Sequence, residues 1–158
     1  MIVHPIPPFY DDNSNILILG SFPSVKSRET QFFYGHPQNK FWRVVGDLFG
    51  EKMPESIPEK REFLQRNRIA LWDVIHSCDI DGSADSTIKN VTPNDLRVIL
   101  DAAPVKRIFV NGRTSEKYYK KYIEKDIDIK AVYLPSTSPA NAAWTLEKLE
   151  TAWKIILD

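Results

Sequence analysis

Ile16-Leu17-Ile18-Leu19-Gly20-Ser21-Phe22-Pro23-Ser24 runs four apolar residues straight into a glycine and a Ser/Pro turn. A surface strand would alternate apolar and polar residues. An unbroken apolar run of this length suits a strand covered on both faces, as in a parallel sheet. The same grammar recurs at Ile69–Trp72, at Arg107–Val110 and at Lys130–Leu134, which are expected to be the second, third and fourth strands.

Between these runs the sequence changes to helical spacing. Phe41, Trp42, Val45, Leu48 and Phe49 share one helical face, and Gly50 stops that helix. Pro58 opens a charged helix through Arg66. Thr92-Pro93-Asn94-Asp95 has the form of a helix start, with Thr92 as the cap. Further helices are expected from Thr114, and from Thr145 with Glu147 in its first turn. Three segments are expected to be loops: Ser21 to Gln38, Asp73 to Val91, and Pro135 to Trp144. The prolines at positions 5, 7 and 8 make the first dozen residues an extended arm. Strands alternating with helices predict an α/β fold: a three-layer α/β/α sandwich around a four-stranded parallel sheet, in one domain spanning residues 1–158.

Composition narrows the chemistry. The chain has 158 residues, 42% of them hydrophobic and 27% charged, with 21 basic and 21 acidic side chains. A neutral balance argues against coating nucleic acid by bulk charge, and leaves room for a local basic face. One cysteine, Cys78, excludes an internal disulfide and a Cys-rich metal or cluster site. No histidine pair has ligand spacing, so no metal and no cofactor are expected. No phosphate-binding glycine loop and no GxSxG elbow occur. The absence of a signal-like N-terminus and of a long apolar run points to a cytoplasmic, intracellular protein without a membrane partner.

In open α/β sheets ligands sit beyond the carboxyl ends of the strands. The segments there, Gly20 to Asn39, Asp73 to Asn90, Asn111 to Arg113 and Pro135 to Asn141, are rich in amides, hydroxyls and aromatics, and include Gly20-Ser21-Phe22-Pro23-Ser24, Tyr34-Gly35-His36-Pro37-Gln38-Asn39-Lys40-Phe41-Trp42, Asn111-Gly112-Arg113 and Ser136-Thr137-Ser138-Pro139-Ala140-Asn141. Such a set can grip a flat polar heterocycle and position a water. His36 reads as a brace for its loop, and Ser83, Asp85, Ser86 and Asn90 as a polar network without assigned chemistry.

These motifs, at this separation, resemble the uracil-DNA glycosylase superfamily, and most closely its hypoxanthine-DNA (deoxyinosine) glycosylase branch. The similarity runs from Leu17 to the last helix. It implies a DNA repair enzyme that flips a deaminated base, chiefly hypoxanthine, out of double-stranded DNA and hydrolyses its N-glycosidic bond, acting as a monomer. A uracil or xanthine glycosylase on the same scaffold, or a non-catalytic binder of damaged bases, are the alternatives.

The residues carry over one by one. Related branches place an acidic or amide residue third in the first motif to orient the attacking water. Phe22 stands there, so the resemblance moves that role to Asn39, which could instead be a helix cap or loop brace. The two roles are compatible only if the side-chain oxygen is not committed to capping. Tyr34 aligns with the aromatic on which the flipped base stacks, with Phe22 as the opposing wall and Gly20 and Ser21 beside it. Asn111 aligns with a base-edge contact; an ordinary turn amide is the alternative. Ser136, Thr137, Ser138, Pro139 and Ala140 would hold the flanking phosphates. Ser136 replaces a histidine, and Ala140 a bulky wedge, which predicts a slower enzyme than the uracil-excising members. Lys26, Arg28, Lys40, Arg43, Arg113, Lys117, Lys120 and Lys121 could form a basic DNA-facing surface. No lysine lies inside a motif, so no Schiff base and no strand-nicking step are expected.

Overall fold

The computed structural model describes residues 1–158. Its centre is a parallel sheet of β2 (Ile16–Gly20), β3 (Ile69–Asp73), β6 (Arg107–Asn111) and β7 (Val132–Leu134), in the order β3-β2-β6-β7. Ile18 lies between Leu71 and Phe109, and Leu19 between Trp72 and Val110. Every residue of β2 and β3 is buried, which requires cover on both faces, as the unbroken apolar runs foretold. Helices α2 (Phe41–Leu48), α3 (Ile57–Arg66), α5 (Arg113–Tyr122) and α7 (Leu146–Trp153) supply it, with the short α6 (Glu124–Ile127) packed on α5. A single apolar cluster joins the layers through Leu17, Leu19, Phe41, Phe63, Phe109 and Trp153. No helix is long and apolar enough to cross a membrane.

Local chemistry explains where the main helices begin. Ser56 Oγ accepts the Glu59 N–H at 3.2 Å while Glu59 reaches back to Ser56, and Pro58 sits in the first turn of α3. Thr145 Oγ1 accepts the Lys148 N–H at the start of α7. Gly50, at φ +67°, ends the α2 region in the left-handed conformation that glycine tolerates.

Three expectations are corrected. Asp73 to Val91 is not a long loop: β4 (Ile75–Asp81) and β5 (Ala84–Pro93) form an antiparallel hairpin, and β1 (Ile2–Val3) of the N-terminal arm pairs with β4. The hairpin's Ser, Asp and Gly hid its pairing, because ladder hydrogen bonds are made by the backbone whatever the side chains. Thr92 and Pro93 belong to β5 and cap nothing. Helix α4 (Arg97–Leu100) starts later and has no side-chain cap. Asn94 turns inward instead and donates to the carbonyls of Asp73 and Ile75. Finally, the Ser21 to Gln38 segment contains a short helix, α1 (Val25–Thr30), capped by Ser24 Oγ on the Ser27 N–H.

Candidate active site

The carboxyl ends of β2, β3, β6 and β7 converge on one rim. Two tertiary ties hold its loops together. Lys40 N–H donates to Thr137 O at 3.0 Å, joining the loop before α2 to the loop after β7. Asn111 joins the same loop to β6: its Nδ2 donates to Thr137 Oγ1 at 3.0 Å, and its Oδ1 accepts the Thr137 N–H at 3.1 Å. Thr137 is 1% exposed, so these bonds form away from solvent.

Asn39 does commit its oxygen. Its Oδ1 accepts the Phe41 N–H at 2.9 Å, an Asx turn that starts α2. On the sequence alone, an oxygen committed to capping is incompatible with a water-orienting role. The stricture is too strong, because a carbonyl oxygen has two lone pairs and the Phe41 N–H occupies one. The turn therefore fixes the amide and leaves one acceptor direction. Asn111 spends one N–H and one lone pair on Thr137, which fixes its amide and leaves one N–H and one lone pair open.

Tyr34 lies flat on Phe41, with ring centroids 4.1 Å apart and planes 19° from parallel. Its φ is +52°, in the left-handed region disfavoured for a bulky side chain. The strained backbone turns the phenol toward the end of β2. Its Oη is buried beside Asp73 and Asn111 without a partner in hydrogen-bonding geometry. Burial, then the Asp73 charge, push the phenol far above its usual value, so it stays protonated. Phe22 is buried, lies under the Arg28 guanidinium at 5.7 Å, and meets His4 edge to face.

Gly20 ends β2 in a crowded place. A β-carbon on it would collide with Asp73 Oδ1 and come within 3.3 Å of Tyr34 Oη. Asp73 is 4% exposed, and its Oδ2 accepts from His4 Nε2 at 2.7 Å. The sequence assigns neither a site role, although Asp73 opens one of the segments that follow a strand. Asp73 could have been noticed as the charge closing the apolar run Ile69-Ala70-Leu71-Trp72. Nothing local marks His4, which reaches the rim only because the arm pairs with β4.

The hairpin tip also leans on the first motif. Ser21 Oγ lies 3.2 Å from both Asp85 oxygens, Ser83 Oγ accepts the Val25 N–H, and Arg28 donates to Gly82 O at 2.6 Å. Asp85 is exposed as a residue, but the atoms packed around its carboxyl push that group above the ordinary value, against the Ser21 hydrogen bond. His36 Nδ1 accepts the Gln38 N–H, a loop-bracing contact.

In the loop after β7, Ser136 Oγ accepts the Ser138 N–H and Ser138 Oγ accepts the Ala140 N–H. Each hydroxyl keeps its own proton for an outside acceptor. Pro139 opens a 3₁₀ turn over Pro139–Asn141, and Asn141 Nδ2 braces it on Ser136 O. Gly112, at φ +98°, lets β6 pass close to Ser136, where a side chain would crowd. Of the basic residues, Arg113 stacks on Tyr133 at 3.7 Å and pairs with Glu116, Lys120 pairs with Glu116, and Lys26 with Glu29. These are exposed pairs, readily exchanged for another anion.

The sequence profile described as the uracil DNA glycosylase superfamily matches residues 7–157. A hypoxanthine DNA glycosylase of Methanosarcina acetivorans is 36% identical over 158 residues, covering 99% of this chain and 98% of the relative. Another from Methanosarcina barkeri is 36% identical over 149 residues, covering 93% and 92%. A solution NMR structure from M. acetivorans, provisionally described as a uracil DNA glycosylase, superimposes with a TM-score of 0.81 at 34% identity, covering all of both chains.

Proposed function

Because this chain belongs to the uracil DNA glycosylase superfamily, we propose that it is a monofunctional DNA glycosylase that hydrolyses the N-glycosidic bond of deaminated bases, hypoxanthine above all. The observation that carries this reading is the tie of Asn39–Lys40 to Thr137 and Asn111, which gathers an amide, an aromatic and a hydroxyl loop at one rim. It works inside the cell, on double-stranded DNA and as a monomer.

The nucleotide must first leave the stack, since its glycosidic bond is inaccessible within a duplex. Tyr34, one face of which rests on Phe41, takes the base on its other face, and Phe22 of the first motif is read as the opposing wall. As the bond to C1′ lengthens, positive charge grows on the sugar and negative charge on the departing base. Asn39, fixed by the Phe41 N–H, uses its remaining lone pair to hold a water toward C1′. An amide is a poor base, so orientation and electrostatics supply the rate. The water oxygen bonds to C1′, its proton passes to solvent, and the base leaves with the bond pair and is protonated in turn. Ser136 and Ser138 donate their hydroxyl protons to flanking phosphates. Lys40, Arg43, Arg113 and Lys117 add non-specific, salt-sensitive affinity.

The test uses labelled duplexes carrying inosine, xanthosine or uridine, followed by alkaline cleavage of abasic sites. Strand breaks strongest with inosine are expected. A duplex that is retarded but never cleaved identifies a binder and ends the catalytic reading. Strand breaks without alkali would contradict the monofunctional assignment.

A further inference from the structure

The β4–β5 hairpin delivers an acid to the rim. In the sheet, β2 leads to β3 on one side and β6 leads to β7 on the other, so the loops that leave β2 and β6 part from each other. In open α/β sheets that divide is where a ligand sits. Asp85, near the start of β5, reaches into it. Its two carboxyl oxygens lie 3.2 Å from the hydroxyl of Ser21, the residue after β2, and the Thr114 hydroxyl in the first turn of α5 acts on it as well. The turn that carries Asp85 is stiff. Thr87 Oγ1 accepts the Asp81 N–H at 2.9 Å and donates to Ala84 O at 2.6 Å, while Val25 and Arg28 of α1 hold Ser83 and Gly82.

Leaving-group chemistry gives this acid a task. When the C1′–N9 bond breaks, the electron pair stays on the purine, and the imidazole ring shares that charge between N9 and N7. A proton on N7 cancels it. Ser136 stands where the resemblance implies a histidine for the departing base. The Tyr34 phenol is held far above its usual value, so it parts with its proton reluctantly. Asp73 accepts from His4, and His36 braces its own loop. The Asp85 carboxyl sits above its ordinary value because neighbouring atoms exclude water, and the Asp73 charge pushes it the same way. A duplex laid over the rim removes more water and adds to that shift. Arg28 and Arg113, cations of the helices beside the hairpin, are turned to Gly82 O and to Glu116.

We propose that Asp85 is a catalytic residue that, as the neutral acid, protonates N7 of the flipped hypoxanthine while the bond to C1′ breaks, with Ser21 as its positioning residue. This rests on the glycosylase reading above and adds the acid for the leaving group. The carboxyl O–H bond breaks and an N7–H bond forms. The C1′–N9 pair leaves with the base, which departs neutral. The water oxygen bonds to C1′ and gives its proton to solvent, which returns one to the Asp85 carboxylate. A serine hydroxyl equidistant from both oxygens suits this cycle: it accepts from the acid and donates to the carboxylate.

Single-turnover excision is measured against pH on duplexes carrying deoxyinosine or 7-deaza-deoxyinosine, which has a carbon where the proton would land. Wild-type excision of inosine should fall by about tenfold per pH unit once pH rises past the titration of Asp85. Asp85→Asn should lower the rate by about 100-fold at mildly acidic pH, the scale of one positioned acid, and flatten that limb. Asp85→Glu, still an acid, should keep the limb. On the 7-deaza duplex the wild-type rate should itself be low, and Asp85→Asn should lower it no further. A duplex with 2′-fluorinated deoxyinosine, which resists hydrolysis, should bind the wild-type protein and Asp85→Asn alike. A wild-type profile without the alkaline limb overturns the proposal before any variant is made. An Asp85→Asn protein with the wild-type rate and limb overturns it too, and leaves the glycosylase reading standing. So does an equal loss on both duplexes, which a merely structural residue would give. A wild-type protein that excises nothing at any pH overturns the glycosylase reading itself, and the role of Asp85 falls with it.

Discussion

On one side of the rim, Asn39, Asn111 and Thr137 are bonded to neighbours: Asn39 Oδ1 to Phe41, and the Asn111 amide to Thr137 on both sides. On the other side, Tyr34 Oη and Asp73 Oδ1 lie close together with no hydrogen bond at all. The amide side holds loops in place through satisfied polar groups, so its residues act by position. The acid side keeps the Tyr34 hydroxyl buried and unanswered, a condition that costs stability and that a ligand could relieve. Binding sites commonly sacrifice stability in this way.

Asn39→Ala would break this contrast most sharply. If the amide side acts only as scaffold, the variant loses a turn and little rate. The mechanism instead predicts a single-turnover loss on inosine duplexes of roughly 100- to 1,000-fold, the scale of one pre-organised group. Duplex binding should persist in a mobility-shift assay. Full activity would remove Asn39 from the chemistry.

Thr137→Val probes the scaffold itself. It strips the hydroxyl that Asn111 donates to and leaves a buried Nδ2 without its partner. A destabilisation of about 1–3 kcal/mol in urea unfolding is expected, with a several-fold slower excision. Thr145→Ala, far from the rim, should cost about 1 kcal/mol through the lost α7 cap and leave excision unchanged. It separates loss of stability from loss of function.

Tyr34→Phe sharpens the other side. Its hydroxyl has no partner, so unfolding should show no loss, or a gain of up to about 1 kcal/mol. A clear loss would mean that the hydroxyl is satisfied in solution. The smallest expected effect is a pH slope. The folded protein raises the Asp85 carboxyl above its unfolded value, so the neutral acid is favoured in the native state. That contribution is complete below the unfolded value and is lost as pH rises through the raised one. Asp85→Asn should therefore flatten the stability profile across the mildly acidic range, a difference readable in parallel thermal melts.

Half of the rim was legible in the residues. Asn39, Tyr34, Asn111 and the Ser136–Ala140 loop follow strands or open helices, and each belongs to a motif with local signals. Ser21 was legible as part of the first motif and Asp85 as part of a polar network, but their pairing was not, because they lie 64 positions apart. Asn94 shows the same blindness in reverse. Its neighbours spell a helix start, yet the side chain is drawn inward by the carbonyls of Asp73 and Ile75. A local cap is worth about 1 kcal/mol, and the alternative here was to leave buried carbonyls unpaired. The tertiary demand prevailed.

Taken alone, the sequence determined the parallel sheet, its covering helices and the family, because apolar runs, helical spacing and motif residues are local or fixed in order along the chain. Tertiary structure alone decided that the Asp73–Val91 segment folds into β4 and β5, that the arm carries His4 to Asp73, and which polar atoms at the rim stay unpaired. Those outcomes depend on backbone hydrogen bonding and on contacts across 60 positions or more. Neither leaves a period or a motif in the chain.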